Sequence, residues 1–501
     1  MIRAVVPNPQ QLAWSGRVRP LEAGVLRVCG PDSLIADVAA LAARCGGPTL
    51  RAAAADAADV VVEIDAEWRP DPVCEEPIGL DPGCGPEAYA VHGRLVQAAT
   101  EAGAYRALTV ILQAIDADGL PLFEAVDAPA LRWRGLTLDV SRHFLSIAEL
   151  EAIVDLLAYY RLNVLHLHLT DNQAWRLRMP GRPALTPPEG SYSADDLAAL
   201  AAYAGRRHVT LLPEIDMPGH VLAALTAYPD LVGDRPAPLP GLGHLRPRVP
   251  AAVRFAEEAV DLLCSLLPGP YVHVGGDEAI GMDPQEYAEF VQLVHARVRG
   301  HGKRPVAWQE ASRARVFREG DVLQQWISPR DAPRPEDLDR LPPEYAAFRD
   351  TFAAAFRPAP QDLPRALADG AWLLLSPSHP CYLDRRYAEP SLDPAQDALM
   401  TRLGHPGYPA EHTRDLYRTT WDDLPRVAGA QAALWAETIT GIGDLAALLL
   451  PRLPLLAEMM WSRRRRPWPE VAAGIAGHAP VWESLGLAGY YRSADVFVRH
   501  S

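Results

Sequence analysis

From Arg134 onward, the chain alternates short apolar segments with longer segments in which apolar residues recur every three or four positions. The short segments are typical of strands buried on both faces, and the longer ones are typical of amphipathic helices. Strands and helices in alternation build parallel βα units, and eight such units close into a barrel. The sequence therefore predicts an α/β fold, a (β/α)8 TIM barrel, with candidate strands at 135–140, 164–169, 209–215, 271–275, 305–308, 322–326, 372–376 and 429–435.

Helical periodicity predicts four clear helices between these strands, at 147–161, 194–207, 251–267 and 284–299. The segment 328–369 is rich in Pro, Asp and Arg and is too long for an ordinary connection, so we expect an insertion that shapes one face of the barrel. Residues 1–130 mix short apolar runs with alanine-rich helical stretches. We therefore predict a small α+β domain at 1–130, followed by the barrel and C-terminal helices at 131–501.

Charge and cysteine usage limit the partners of the chain. Its 48 basic and 63 acidic residues give a net charge of −15, so nucleic acid and membranes are not expected as partners. The six cysteines form no CxxC pair and no cluster with histidine at zinc spacing, so no metal or other cofactor is expected. The N-terminus lacks the apolar stretch and cleavage site of a secretory signal, which predicts a cytoplasmic location.

Side chains just past the carboxyl ends of barrel strands gather at one mouth. Here they include four aromatic residues, Trp308, Trp326, Tyr382 and Trp435. Aromatic walls stack on the C–H faces of sugars, and charged groups bind the hydroxyls. Any one of these tryptophans taken alone is more often a core residue, but four aromatic residues at neighbouring strand ends favour a sugar pocket. The polar residues at the same mouth are Asp139, Arg142, His143, His166, His168, Asp171, Glu214, Asp216, His220, Asp277, Glu278, Asp384 and Glu437.

The fourth candidate strand ends in two glycines followed by Asp277 and Glu278. Glycosidases that use two opposed carboxylates hold them on either side of the sugar, which adjacent residues do not easily do. If Glu278 is the general acid, the attacking group has to come from elsewhere, and a 2-acetamido oxygen of the substrate can serve. Asp277 would then hold the acetamido N–H and stabilise the developing oxazolinium. The alternative interpretation of an Asp-Glu pair is a helix N-terminus, which favours acids.

With these residues in place, the chain resembles glycoside hydrolase family 20, the β-N-acetylhexosaminidases. The resemblance rests on five motifs: RGLTLDVSRHF at 134–144, NVLHLHLTDNQAWR at 163–176, LPEIDMPGH at 212–220, HVGGDE at 273–278 and LWAE at 434–437. It runs from about residue 130 to residue 465. The segment before it resembles the small α+β domain that precedes such barrels.

The resemblance implies a role for each matching residue. Glu278 would be the acid/base, Asp277 would orient the acetamido group, and Tyr382 would donate its hydroxyl to the acetamido oxygen. Cleavage would be exo-acting, would retain configuration and would release GlcNAc or GalNAc from a small oligosaccharide or glycoconjugate. The other implied substrate-binding residues are Arg142, Asp171, His220, Trp308, Trp326, Asp384, Trp435 and Glu437, with Asp171 and His220 supporting the acid as a relay.

Two other functions fit parts of the pattern. His166 and His168 are spaced as the first ligand pair of a metal-dependent amidohydrolase-type barrel, although Lys303, the only lysine, precedes its strand and should point away from the mouth. A non-catalytic amino-sugar-binding protein would keep the pocket without turnover. The chain also departs from the family, because Gln309 stands where an acid is common and the segment 328–369 is longer than usual.

Overall fold

Seven strands between Gln11 and Asp127 form a mixed sheet that precedes the barrel. The computed structural model describes residues 5–68, 87–186, 190–234, 239, 241–332, 343–420 and 424–498. The sheet order is β1-β7-β5-β6-β4-β2-β3. The strands are β1 (Gln11–Arg19), β2 (Val25–Cys29), β3 (Thr49–Ala52), β4 (Val60–Ile64), β5 (Tyr89–His92), β6 (Leu95–Ala98) and β7 (Leu120–Asp127). The helices Asp32–Arg44 and Glu101–Ala114 complete an α+β unit, as predicted.

The next eight strands pair in parallel and close into a barrel, which confirms the predicted fold class. Each falls within a few residues of its predicted position. They are β8 (Trp133–Asp139), β9 (Val164–His168), β10 (Thr210–Glu214), β11 (Tyr271–His273), β12 (Arg304–Trp308), β13 (Val322–Gln325), β14 (Trp372–Leu375) and β15 (Val427–Leu434).

The barrel interior changes from apolar to polar along its axis. At the amino end, one side chain from each strand contributes to an apolar layer made of Trp133, Val164, Leu212, Tyr271, Val306, Val322, Leu374 and Ala428. Above it, Nε2 of Gln431 donates to Oγ1 of Thr137 at 2.7 Å and lies 2.9 Å from Nδ1 of His166. The mouth of the barrel therefore lies above a buried layer in which polar side chains of different strands bond to one another.

All four predicted barrel helices form. Ile147–Tyr159 and Ala194–Gly205 each begin with a capping box, built by Ser146 with Glu149 and by Ser193 with Asp196. The other helices are Leu222–Ala227, Pro250–Leu266, Pro284–Gly300, Arg349–Phe356, Asp362–Ala368, Ser378–Cys381, Pro394–Leu399, Thr413–Leu416, Ile442–Leu449, Arg452–Trp461, Trp468–Gly477, Ala479–Ser484 and Ala494–Phe497. Within the described ranges, no helix combines the length and apolarity needed to cross a bilayer.

Buried ion pairs join the N-terminal sheet to the amino end of the barrel. Asp127 at the end of β7 lies 3.0 Å from a guanidinium nitrogen of Arg161 and accepts from the indole of Trp461 at 3.0 Å. Glu87 pairs with Arg106 at 2.7 Å and with Arg134 at 2.8 Å. These charges are buried and paired, so removing one partner would leave an uncompensated buried charge. The pairs between the two parts therefore help to hold them together.

The predicted insertion carries two short helices, Arg349–Phe356 and Asp362–Ala368. Asp362 is buried and accepts from the guanidinium groups of Arg313 at 2.8 Å and Arg365 at 3.0 Å, which pins the insertion to the segment after β12. Residues 333–342 of the predicted insertion lie outside the described residues. The described part therefore reaches the carboxyl end of the barrel.

Candidate active site

The loop after β11 places Asp277 and Glu278 at the mouth of the barrel. Gly275 adopts φ +67°, and a Cβ there would lie 1.7 Å from Oδ1 of Asp216, so the position admits only glycine. Glu278 itself has φ 43°, in the left-handed region that a non-glycine residue rarely adopts. Such strain costs about 1–3 kcal/mol and persists where the surrounding structure enforces it, as at active sites.

Asp277 forms a carboxyl pair with Asp216, the second residue after β10: an oxygen of each and a ring nitrogen of His220 all lie within 4.8 Å of one another. Oδ1 of Asp216 also accepts from the backbone N–H of Gly276 at 3.0 Å. Burial and the nearby charge of Glu214 raise the pKa of Asp216 to about 8. Burial and Asp216 raise the pKa of Asp277 as well. The pair therefore holds a proton at neutral pH, since two buried carboxyls in contact do not both ionise.

Asp171 connects three charged side chains at the mouth. Its Oδ2 lies 3.0 Å from Nε2 of His168 and 2.8 Å from a guanidinium nitrogen of Arg142, and its Oδ1 lies 3.2 Å from Nδ1 of His220. Burial opposes the charge on Asp171, but His220 and His168 outweigh it and hold the pKa of that carboxyl well below its usual range. Asp171 is therefore a permanent anion in the site.

His220 faces Asp277 and Glu278, which we call the DE pair. Its Nε2 lies 3.6 Å from Oε2 of Glu278 and 3.7 Å from Oδ2 of Asp277. Burial opposes protonation of the ring, but Asp171 and Asp277 outweigh it and raise the pKa of His220 to about 9. A charged imidazolium therefore stands next to Glu278 at neutral pH, and the sequence-predicted pair of Asp171 and His220 forms a continuous chain toward it.

Arg142, Glu437 and Asp384 place polar groups on another side of the mouth. Arg142 lies 2.9 Å from Oδ2 of Asp139 and 3.6 Å from Oε1 of Glu437. Asp384 is 1% exposed, and neither of its carboxylate oxygens has a hydrogen-bond partner among the described residues. Burial and the charge of Glu437 raise the pKa of Asp384 to about 8. A buried group without a partner is costly, so a ligand that bonds to Asp384 is favoured.

Three of the predicted aromatic residues form a cluster at the mouth. The ring of Trp435 lies 6.0 Å from that of Trp308 and 5.9 Å from that of Tyr382. Nε1 of Trp308 donates to Oε1 of Glu214 at 2.8 Å, which fixes the indole. Burial raises the pKa of Tyr382 far above its ordinary value, with smaller contributions from Tyr408 and Asp277, so its hydroxyl stays a donor.

Trp326 contributes to the same end of the barrel but is held by a residue that the sequence interpretation missed. Its Nε1 donates to Glu310 at 3.0 Å. Burial raises the pKa of Glu310 to about 7. The sequence does contain a signal for Glu310, because it stands two positions past Trp308 and residues that close to a strand end still reach the mouth.

The sequence interpretation also missed His405 and Tyr408. The Tyr408 ring lies 5.8 Å from that of Tyr382 and 5.1 Å from the ring of His405. Burial lowers the pKa of His405, and the charge of Glu437 opposes that effect. These two residues lie between the short helices Pro394–Leu399 and Thr413–Leu416, in a stretch with no periodicity and no motif that would have placed them at the mouth.

A cavity of about 700 Å³ opens next to Glu278. The loop after β11 forms one side, and the insertion contributes Thr351, Phe356 and Arg365 on the other. The Phe356 ring lies 6.2 Å from that of Trp326, so the helix Arg349–Phe356 packs against an aromatic side chain of the pocket. The described part of the insertion therefore lines the space beside the DE pair.

The two histidines that suggested a metal site both bind one carboxylate. Nε2 of His166 lies 3.0 Å from Oε2 of Glu214, and Nδ1 of His168 lies 2.6 Å from the same oxygen. Lys303 donates to the backbone carbonyl of Leu267 at 2.7 Å, before β12 begins and away from the mouth, as predicted. The imidazole pair thus braces β9 against β10, and the catalytic lysine expected of many metal-dependent barrels is not at this site.

Comparisons with known proteins agree with one another. The family model described as "Glycosyl hydrolase family 20, catalytic domain" matches residues 131–464. A β-N-acetylhexosaminidase of Cellulomonas fimi is 34% identical over 438 residues, which cover 80% of this chain and 80% of that protein. The solved structure of a family 20 β-N-acetylhexosaminidase from Streptomyces coelicolor A3(2) is similar with a TM-score of 0.77 and 27% identity, covering 99% of this chain and 98% of the other.

Proposed function

The chain belongs to glycosyl hydrolase family 20, and from that premise we propose that it is an exo-acting, retaining β-N-acetylhexosaminidase. Its substrates are small oligosaccharides or glycoconjugates that end in a β-linked N-acetylhexosamine, GlcNAc or GalNAc. The observation that carries the proposal is the position of Asp277 and Glu278, adjacent in sequence at one strand end and near the aromatic cluster of Tyr382 and Trp435. Adjacent acids are badly placed to attack and to protonate from opposite sides of a ring, so the substrate supplies the nucleophile.

In the proposed reaction, the acetamido oxygen attacks the anomeric carbon as the glycosidic C–O bond breaks. Glu278 gives its proton to the leaving oxygen, and Asp277 accepts the acetamido N–H and stabilises the positive oxazolinium. Tyr382 donates its hydroxyl to the acetamido oxygen and aims it for attack. Glu278 then takes a proton from water, which attacks the anomeric carbon from the face that the aglycone left. The bond between that carbon and the acetamido oxygen breaks, the acetamido group is restored, and the configuration is retained.

The remaining predicted residues bind the sugar or support the acid. We assign Trp308 and Trp326 to the walls of the acetamido pocket and Trp435 to the surface on which the pyranose stacks. Arg142, Glu437 and Asp384 receive the hydroxyls of the terminal sugar. The 3.6 Å pair of Arg142 and Glu437 supports a closed single-sugar pocket and hence exo cleavage. Asp171 and His220 keep a positive charge beside Glu278.

Three further statements from the sequence stay predictions. We propose the domain division at residues 130 and 131, because β7 ends at Asp127 and β8 begins at Trp133. A cytoplasmic location remains a prediction. The net charge of −15 supports the expectation that nucleic acid and anionic membranes are not partners.

The test of the function is a panel of 4-nitrophenyl β-glycosides with and without the 2-acetamido group. We expect turnover of the N-acetylglucosaminide, the N-acetylgalactosaminide or both, and turnover at least about 10³-fold slower on the plain glucoside, because only the acetamido substrates carry the nucleophile. A thiazoline mimic of the cyclic intermediate should inhibit competitively. Equal rates with and without the acetamido group, or an inverted product, would refute the proposal.

Metal removal separates this function from a metal-dependent barrel. Since His166 and His168 bind Glu214 and every proposed step uses protein and substrate groups alone, we expect full activity after dialysis against EDTA. The measurement is kcat/KM on the 4-nitrophenyl N-acetylhexosaminide before and after dialysis. A loss that added Zn²⁺ restores would instead favour the metal-dependent reading.

The activity should decline on the alkaline side. Asp216 has a raised pKa of about 8, so a rise in pH through that value removes its proton and adds a second negative charge beside Asp277. His220 loses its positive charge as the pH passes about 9. The profile of kcat/KM should therefore fall with an apparent midpoint between these two values. Asp216→Asn cannot ionise, so it should move the midpoint upward, and an unmoved midpoint would exclude Asp216 as its source.

A further inference from the structure

Glu214, the last residue of β10, is fully buried beneath the mouth and lies among three imidazole rings and one indole. Its Oε1 accepts from Nε1 of Trp308 at 2.8 Å and lies 2.9 Å from Nδ1 of His273. Its Oε2 lies 2.6 Å from Nδ1 of His168 and 3.0 Å from Nε2 of His166. Side chains from three other strands, β9, β11 and β12, therefore converge on one carboxylate.

One chain of contacts leads from Glu214 to the acid. His168, held by Glu214 on one nitrogen, lies 3.0 Å from Oδ2 of Asp171 through the other. Asp171 holds His220 at 3.2 Å, and His220 faces Glu278 at 3.6 Å. Because each imidazole lies between two carboxylates, its ring orientation and protonation are set by its neighbours. The position of His220 against Glu278 thus depends on Glu214.

A second chain of contacts leads from Glu214 to the sugar pocket. Trp308 is 1% exposed, and its indole N–H is bonded to Glu214. Its ring lies 4.9 Å from the ring of His273 and 6.0 Å from that of Trp435. A buried indole without its acceptor would pay for an unsatisfied N–H, so it would rotate or shift. Either change would move a wall of the acetamido pocket.

The groups around Glu214 favour its negative charge on balance. The titratable groups that face it are the imidazoles of His166, His168 and His273, which favour its negative charge, and the carboxyl of Asp216, which opposes it. A glutamine would keep the shape but lose the charge, and its amide N–H groups would meet donors where the carboxylate accepted. Part of the cluster would therefore lose its acceptor.

We propose that Glu214 is a positioning residue that sets two parts of the site together, the Trp308 wall of the sugar pocket and the His168–Asp171–His220 chain behind the acid. This rests on the proposed function, and it assigns Glu214 no contact with the substrate. Loss of Glu214 disturbs both KM, through Trp308, and kcat, through His220. Loss of Trp308 disturbs mainly KM, and loss of His168 disturbs mainly kcat.

The experiment compares Glu214→Gln with Trp308→Phe, His168→Gln and the two double variants, assayed on 4-nitrophenyl β-N-acetylglucosaminide. Glu214→Gln should lower kcat about 10- to 100-fold and also raise KM, because misplacement by about 1 Å costs a factor of that order. His168→Gln should lower mainly kcat, and Trp308→Phe should raise mainly KM. In the double variants the effects should not multiply, since both members of each pair act through one contact.

Asp155→Asn provides the matched control. Asp155 is fully buried and bonded to Arg44 and Tyr203 at 2.8 Å each, but it belongs to the helix Ile147–Tyr159 outside the barrel. This variant should lower the midpoint of thermal unfolding and leave kcat and KM unchanged. A Glu214→Gln enzyme that behaves the same way, destabilised but kinetically normal, would overturn the proposal, as would effects that multiply in the double variants.

Two outcomes keep the proposal separate from the function on which it rests. If Glu214→Gln does not fold, His168→Gln decides, because an unchanged kcat in that variant would show that the chain to His220 does not matter. If the wild-type enzyme fails to hydrolyse the acetamido substrate, the proposed function is wrong. If the wild type is active and Glu214→Gln matches it, only the positioning role is wrong.

Discussion

Glu278→Gln is expected to lower kcat on a disaccharide substrate such as N,N′-diacetylchitobiose about 10³-fold while leaving the affinity for a thiazoline inhibitor within a few-fold. General acid catalysis contributes about 10²- to 10⁴-fold, and a sugar alkoxide is a poor leaving group that needs the proton. The 4-nitrophenyl glycoside should lose less, about 10²-fold, because a nitrophenolate leaves without full protonation. The measurement is the loss of kcat on the disaccharide divided by the loss of kcat on the 4-nitrophenyl glycoside, both determined with one enzyme preparation.

The matched control for this variant is Glu258→Gln, the same substitution at an exposed residue that pairs with Arg182 at 2.8 Å. An exposed pair contributes about 0–1 kcal/mol to stability, so this variant should keep wild-type kcat and thermal stability. If Glu278→Gln instead loses equally on both substrates, the group that protonates the leaving oxygen is not Glu278. The buried carboxyl of Glu310, beside Trp326, would then be the next acid to test.

The fold could be predicted because its determinants are local. Each barrel strand is a short apolar run bounded by turns, and periodicity together with a capping box predicts helices such as Ile147–Tyr159. The strand boundaries differed from prediction by a few residues, since pairing geometry and not hydrophobicity fixes where a strand ends. Closure of the barrel then brought the strand ends, and hence the motif residues, to one mouth without further information.

The site could be predicted only where its residues lie close to strand ends. Asp277, His220 and Trp435 meet that condition. Tyr408 lies far past the end of β14, and nothing in the sequence around it indicates that the chain returns to the mouth there. Glu214 was recognised as a mouth residue, yet its central position was not. That position follows from contacts with side chains on three other strands, which include hydrogen bonds with His168 and Trp308 and depend on register.

Asp277→Asn is expected to lower kcat on the acetamido substrates about 10²- to 10³-fold, the usual cost of removing one group that stabilises developing charge in a buried site. Asparagine keeps the volume and can still contact the acetamido N–H, so the loss isolates the negative charge that faces the oxazolinium. The variant should also bind the thiazoline inhibitor more weakly, because that molecule resembles the cationic intermediate.

Asp216→Asn is the informative partner, since it changes the other half of the same carboxyl pair. In the free site, burial and Asp216 raise the pKa of Asp277. When the positive oxazolinium forms, that charge and His220, 3.7 Å away, favour the anion on Asp277, so we assign the shared proton to Asp216 at that stage. An asparagine at 216 can still donate to Asp277, so its kcat near pH 7 should stay within about tenfold of wild type, well above that of Asp277→Asn. Equal losses in the two variants would place the proton on Asp277, and a neutral Asp277 could not stabilise the oxazolinium as an anion.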